Sequence, residues 1–264
     1  MNVILHEFKA NLIALILWSV SLMSIIFMVS FEFSVFQGNT EIQEFMNTPV
    51  FQQFYNALGA GSANIMTAEG FLSLLSIYIY LPLAIHAGLL GAGIISKEEK
   101  NKTAEYLFTL PVSRTKILLY KFIAGLVYIF MANILVNGSA LLIFSRFDVS
   151  DTYYQFMLNL SIGVFLTQLI FYSIGLGLAS TLKDYKKSGS ITVGVLLGTY
   201  MISVLSNIVE ESNFLRFFTP FRYFAASEML LNNWSFIYFF LAFTIIGIGI
   251  SSLFYFYRKR DLYI

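Results

Sequence analysis

The sequence predicts an all-α membrane protein with six transmembrane helices, and three observations carry that prediction. Of the 264 residues, 58% are hydrophobic and only 12% are charged, where a soluble domain typically carries about 25% charged residues. Mean hydropathy is +0.74. Six apolar runs, at about 12–35, 71–95, 117–144, 156–182, 188–208 and 234–257, each reach the roughly 20 residues a helix needs to cross a hydrocarbon core. Barrel strands would instead show alternating segments of about ten residues. Net charge is +1, so nothing points to nucleic acid as a partner. The sequence has no cysteine, which removes disulfides and thiolate metal sites. The expected organisation is a single transmembrane domain over 1–264, with membrane lipid as its surroundings.

The first run follows Lys9 and has no small-residue cleavage site, so it is expected to be a retained span. The second contains Pro82 and GLLGAG at Gly88–Gly93, tolerable where neighbouring helices satisfy the loosened backbone. Gly175, Gly177, Ala179, Gly194, Gly198, Gly247 and Gly249 are expected to serve close helix packing. Between the first two spans, NTPVFQQFYNALG has the spacing of an interfacial helix. Between the fifth and sixth, an aromatic stretch is broken by Pro220. It reads as two short re-entrant helices meeting near Thr219–Pro220, with Phe218, Pro220 and Phe221 as candidates for an outer gate; the alternative is an aromatic helix lying at the membrane surface.

Basic residues set the expected orientation. Placing both termini in the cytoplasm puts twelve lysines and arginines inside and leaves Arg146, Arg216 and Arg222 outside, with nine acidic residues counting Glu32.

The one charged island, Ser96–Lys121, separates the second and third spans. Ser96 and Glu99 have capping-box spacing. Ala104, Leu107 and Phe108 share a helical face, with Tyr106 and Leu110 beside it and Lys102 and Glu105 on the polar side. Pro111 ends this turn, and Ser113 is placed to cap the next helix. The physics alone leaves two roles open: a helix resting on headgroups, or a docking element.

The run Glu98–Glu99, Lys102–Leu107, Leu110–Arg114 and Lys121 resembles the signature E-x-x-x-x-T-x-E-x-L-x-x-x-P-[VI]-S-R between the second and third spans of ABC-2 type transporter permeases, and TPFRYF at Thr219–Phe224 resembles the stretch before their last span. The resemblance implies a coupling helix seated in a groove of an ATP-binding subunit through Glu98, Glu99, Thr103, Glu105, Tyr106, Leu107, Pro111, Ser113 and Arg114. A second, smaller contact would come from the inner loop with Lys183, Asp184 and Lys186. It further implies two ATPase subunits, a second permease copy (a homodimer being favoured), and a place in a bacterial cell membrane. The sequence has no G-x-x-x-x-G-K-[ST] phosphate loop, so ATP and magnesium are expected on the partner and not on this chain, which is not expected to be an enzyme by itself.

Candidate pathway residues are the polar side chains within the spans: His86, Asn133, Asn137, Thr199, Ser203 and Asn207, with Gln168 and Tyr200 beside them. Each has two readings, a cavity contact or a hydrogen bond between helices. His86 reads as the only ionisable side chain deep in any span, with no intramembrane carboxylate beside it. A surface rich in Phe, Leu, Ile and Tyr suits hydrophobic or amphipathic cargo, such as the peptides moved by phenol-soluble-modulin exporters, or a lipophilic antibiotic or bacteriocin. An intramembrane enzyme would need a convergent catalytic set. A stand-alone secondary transporter would need repeats around buried ion ligands. Neither pattern is evident.

Overall fold

The structure is a computed structural model that describes residues 3–37, 39–46, 48–57, 64–100, 113–182, 184–208 and 213–259. Its helices are α1 (Val3–Phe36), α2 (Thr40–Met46), α3 (Pro49–Ala57), α4 (Ala68–Leu75), α5 (Ile77–Lys100), α6 (Arg114–Phe144), α7 (Tyr153–Thr181), α8 (Tyr185–Ile208), a 3₁₀ turn (Asn213–Phe218), α9 (Pro220–Tyr223), α10 (Ala226–Leu230) and α11 (Phe236–Lys259). Among the described residues six helices, α1, α5, α6, α7, α8 and α11, are long and apolar enough to cross a membrane, and no strand occurs.

Helices α5 and α7 form the centre, each with 72% of its spanning window buried, while α1, α8 and α11 are 22%, 22% and 17% buried. Small residues explain this intimacy. A Cβ on Gly175 would overlap the Gly88 carbonyl, one on Gly91 the Tyr172 carbonyl, and one on Gly249 the Ser173 carbonyl, so α5 and α11 approach α7 at backbone distance. Gly125 leaves room for the Tyr172 ring, whose hydroxyl donates to the Phe122 carbonyl at 3.0 Å. Gly194, Gly198 and Gly247 correct the packing expectation, because nothing lies within 4 Å of a Cβ built on them. They lie on lightly buried α8 and α11, whose apolar faces point away from the core.

Two boundaries differ from expectation. The first helix begins nine residues before Leu12, at Val3, because the charge on Glu7 is neutralised by neighbours. The second apolar run is broken at Ser76 into α4 and α5. Thr67 caps α4, accepting from the Gly70 N–H at 3.2 Å, and the Ser76 hydroxyl turns back onto the Ser73 carbonyl at 2.7 Å, offering the backbone a local alternative to continued helix.

At the end of the bundle away from the termini, Phe33 packs on Phe71, Phe144 and Phe147, with ring centroids 4.9, 5.6 and 4.9 Å apart, joining α1, α4 and α6. The expected helix in NTPVFQQFYNALG is present as α3. The aromatic stretch after α8 bends at Thr219, with a 3₁₀ turn before it and α9 and α10 after it. Phe221 lies 5.2 Å from Phe171 and 5.6 Å from Tyr200. The Tyr80 hydroxyl donates to the Phe224 carbonyl at 2.5 Å, and Tyr223 stacks on Tyr238 at 5.3 Å. Burial pushes the Tyr223 phenol up to about 12, and Tyr238 adds to the shift.

The glycine geometry makes a sharp prediction within one helix. Gly91→Ala forces α5 off α7 and should cost about 1–3 kcal/mol through overpacking, whereas Gly93→Ala, with open space around it, should be neutral or slightly stabilising. Thermal unfolding in detergent checks this; equal effects at the two positions would refute the close approach.

Candidate functional site

The charged island joins the end of α5 to the start of α6, and the structure shows what holds those two ends. Residues 103 to 112, with Thr103, Glu105, Tyr106, Leu107 and Pro111, lie outside the described residues. Glu98 and Glu99 are on the last turn of α5. Ser113 is the N-cap of α6, with φ −65° and ψ 146°, and its hydroxyl accepts from the Lys116 N–H at 3.4 Å, as the sequence predicts. Arg114 is the first, exposed residue of α6. Ser96 does not begin a helix, because α5 runs unbroken through it to Lys100. Its hydroxyl donates to the Ala92 carbonyl at 2.5 Å and meets the Ser188 hydroxyl at 3.2 Å, so it joins α5 to α8 instead.

Beneath the island sits a buried charge cluster. The Lys121 ammonium, 1% exposed, lies 3.2 Å from Glu7 Oε1, and Lys97 Nζ lies 3.2 Å from Glu7 Oε2; the Glu7 side chain is 2% exposed. Lys121 also donates to the Ile94 carbonyl at 2.7 Å. One carboxylate from α1 therefore receives a cation from each helix flanking the island. Two turns along α6 from Lys121, the Tyr128 hydroxyl donates to the Phe8 carbonyl, and the Phe8 and Tyr128 rings lie 5.1 Å apart. Glu7 and Lys121 are buried near the ends of α1 and α6 where the two helices begin.

Neighbouring helix ends bring the second inner loop close. The Ser96–Ser188 contact sets the start of α8 beside the end of α5. Lys183 lies outside the described residues. Asp184 accepts from the Lys186 N–H at 3.0 Å and lies 3.9 Å from Lys187 Nζ, and both Asp184 and Lys186 are exposed.

The polar residues of the spans fall into three places. Asn133 donates to the Ser161 carbonyl at 3.1 Å and to Gln168 Oε1 at 3.3 Å, and accepts from the Ser161 hydroxyl at 2.7 Å; Asn137 donates to the Asn133 carbonyl at 3.3 Å. The Asn133 bonds stitch α6 to α7, while the Asn137 bond lies within α6. His86 is buried, with its ring 5.8 Å from that of Trp18 on α1 and no hydrogen-bond partner on Nδ1. Thr199 donates to the Leu196 carbonyl at 2.9 Å. Ser203 and Asn207 line a small cleft of about 50 Å³ with Tyr80, Tyr200, Phe221 and Arg222. Of the outer candidates, Pro220 and Phe221 are buried and Phe218 is exposed.

Sequence reasoning missed Glu7, Lys97 and Lys121 as a unit, since they stand 90 and 114 residues apart. The available signal was a lysine one turn inside an apolar run, which needs a partner, together with a carboxylate at the opening of another.

Six spanning helices and this arrangement define a multi-pass helical membrane protein. The family model described as ABC-2 family transporter protein matches residues 1–262, and the chain belongs to that family. It is thus a membrane permease component of an ABC transporter, a class that implies an ATP-binding partner. A comparison with curated proteins finds no match.

Removing Glu7 takes the carboxylate from the buried Lys121, whereas removing Lys121 leaves Glu7 paired with Lys97. Glu7→Gln should cost about 3–5 kcal/mol of stability, Lys121→Met should cost less, and the double variant should cost less than the sum of the two. Unfolding in detergent measures the cycle; single losses that simply add would mean that the two charges do not interact.

Proposed function

We propose that this chain is half of the translocation pathway of an ATP-driven exporter, with the island from Glu98 to Arg114 as the coupling helix. The observation that carries the reading is the position of the family signature: it falls between two helix ends, each of which supplies a lysine to the same buried carboxylate. An island anchored in this way presents Glu98, Glu99, Thr103, Glu105, Tyr106, Leu107, Pro111, Ser113 and Arg114 to an ATPase, with Lys183, Asp184 and Lys186 as a lesser contact. ATP and magnesium belong to that partner. The termini face the cytoplasm of a bacterial cell, in agreement with the lysine and arginine bias.

A working unit of two permease copies and two ATPases follows from the family resemblance, and an open face on α8 supports a second copy. Ile191, Val195, Met201 and Leu205 are exposed there, and Gly194 and Gly198 have nothing packed on them. His86, Asn133, Asn137, Thr199, Ser203 and Asn207 are the pathway candidates. Phe218, Pro220 and Phe221, in short re-entrant helices, form the outer gate. Cargo is hydrophobic or amphipathic, with membrane-active peptides first and a lipophilic antibiotic or bacteriocin second.

Co-expression with the ATP-binding subunit tests the proposal. Glu105→Lys or Leu107→Pro should reduce recovery of the ATPase with the permease at least about tenfold, equivalent to 1.4 kcal/mol, while helix content by circular dichroism stays unchanged. An ATPase that remains bound to both variants would sink the docking assignment. Peptide cargo fails separately if labelled amphipathic peptides neither enter vesicles holding the inverted complex nor stimulate its ATP hydrolysis.

A further inference from the structure

Two arginines at the end of the bundle away from the termini have no described role. Arg216 lies on the 3₁₀ turn and Arg222 on α9. Each has a buried Nε without a hydrogen-bond partner, and among the described residues neither forms an ion pair. They stand close enough that Arg216 opposes the charge on Arg222: burial lowers the affinity of the Arg222 guanidinium for its proton, Arg216 lowers it further, and Glu228 acts the other way. Glu228, however, has its Oε2 engaged by the Asn233 amide at 2.7 Å. Two half-buried like charges without a salt bridge are an unfavourable arrangement that an anion relieves.

The surroundings specify the anion. Arg222 borders the small cleft between the start of α5 and the end of α8, where Tyr200 and Ser203 supply hydroxyls. A planar guanidinium with neighbouring hydroxyls suits a phosphate oxyanion. A cleft of about 50 Å³ suits a group the size of a phosphate and is too small for a peptide. It lies at the ends of two spanning helices, the level of lipid headgroups. Next to it Phe214, Phe217 and Phe218 expose 63%, 43% and 64% of their surface, an apolar shelf for acyl chains. We propose that Arg222 and this cleft hold the phosphate of an anionic phospholipid, with Arg216 adding its charge nearby and the chains seated along the exposed phenylalanines.

The test is lipid retention by the purified full chain, read by native mass spectrometry, with phosphatidylglycerol and phosphatidylcholine of matched acyl chains as probes. Wild type should retain phosphatidylglycerol at least about tenfold better, the worth of one charge-assisted contact of roughly 1.4 kcal/mol. Arg222→Gln should lose most of that preference. Ser203→Leu, which fills the cleft and leaves both arginines in place, should lose it as well and keeps the test decisive if the arginine variant fails to fold. Equal retention of the two lipids by wild type, or a preference unchanged in both variants, overturns the proposal. Inorganic phosphate is the third probe. If it raises the unfolding temperature of delipidated wild type while phosphatidylglycerol shows no preference, the lipid assignment is overturned in favour of a soluble anion.

Discussion

The Glu7 carboxylate is the point on which the terminal end of this bundle depends. A charge deprived of water costs several kcal/mol unless it is paired, and Glu7, Lys97 and Lys121 come from three helices that share no local sequence. Without α1 the buried Lys121 and the neighbouring Lys97 lose their shared carboxylate. Lys121 adds the Ile94 carbonyl to its partners, so even the α5 backbone is tied in. Between transmembrane helices the hydrophobic effect supplies little preference for one neighbour over another. The charge cluster supplies that preference, and it does so where α5 ends and α6 begins.

Packing carries the constraint toward the other end. From Ile77 to Lys100, α5 is 24 residues long, about 36 Å at 1.5 Å per residue. Its last turns hold Lys97 and Ser96, and its first hold Tyr80, which bonds the Phe224 carbonyl. Glycine-to-carbonyl contacts with α7 at Gly88 and Gly91 lie between these points and hold α5 against α7 there. The helix that leads into the island is thus the same element that supports the aromatic cluster after α8.

Hydropathy made the six spans legible, because crossing hydrocarbon demands long apolar helices whatever their neighbours. Ser113 was legible as a cap for an equally local reason. The early start of α1 was not, because a glutamate at position 7 reads as polar until its two lysines are brought to it. The break at Ser76 was hidden in a continuous apolar run, and it rests on a hydroxyl folding back on its own turn. Glycines illustrate the same limit: Gly175 and Gly194 look alike in sequence, yet one faces the Gly88 carbonyl and the other faces open space. The asparagines of α6 could be read as cavity-lining or helix-bonding, and the observed bonds join α6 to α7. Whatever depends on residues distant in the chain had to come from the fold.

The central claim is that Glu7 locks α1 to α6 at the base of the island, and a distance measurement tests it most directly. The sequence has no cysteine, so spin labels at Ala10 and Thr115, both exposed, can be introduced without removing a native thiol. Pulsed electron resonance should give one narrow distance distribution, unchanged when the ATPase partner and ATP are added and broadened by Glu7→Gln. A wild-type distribution as broad as that of the variant would contradict the account.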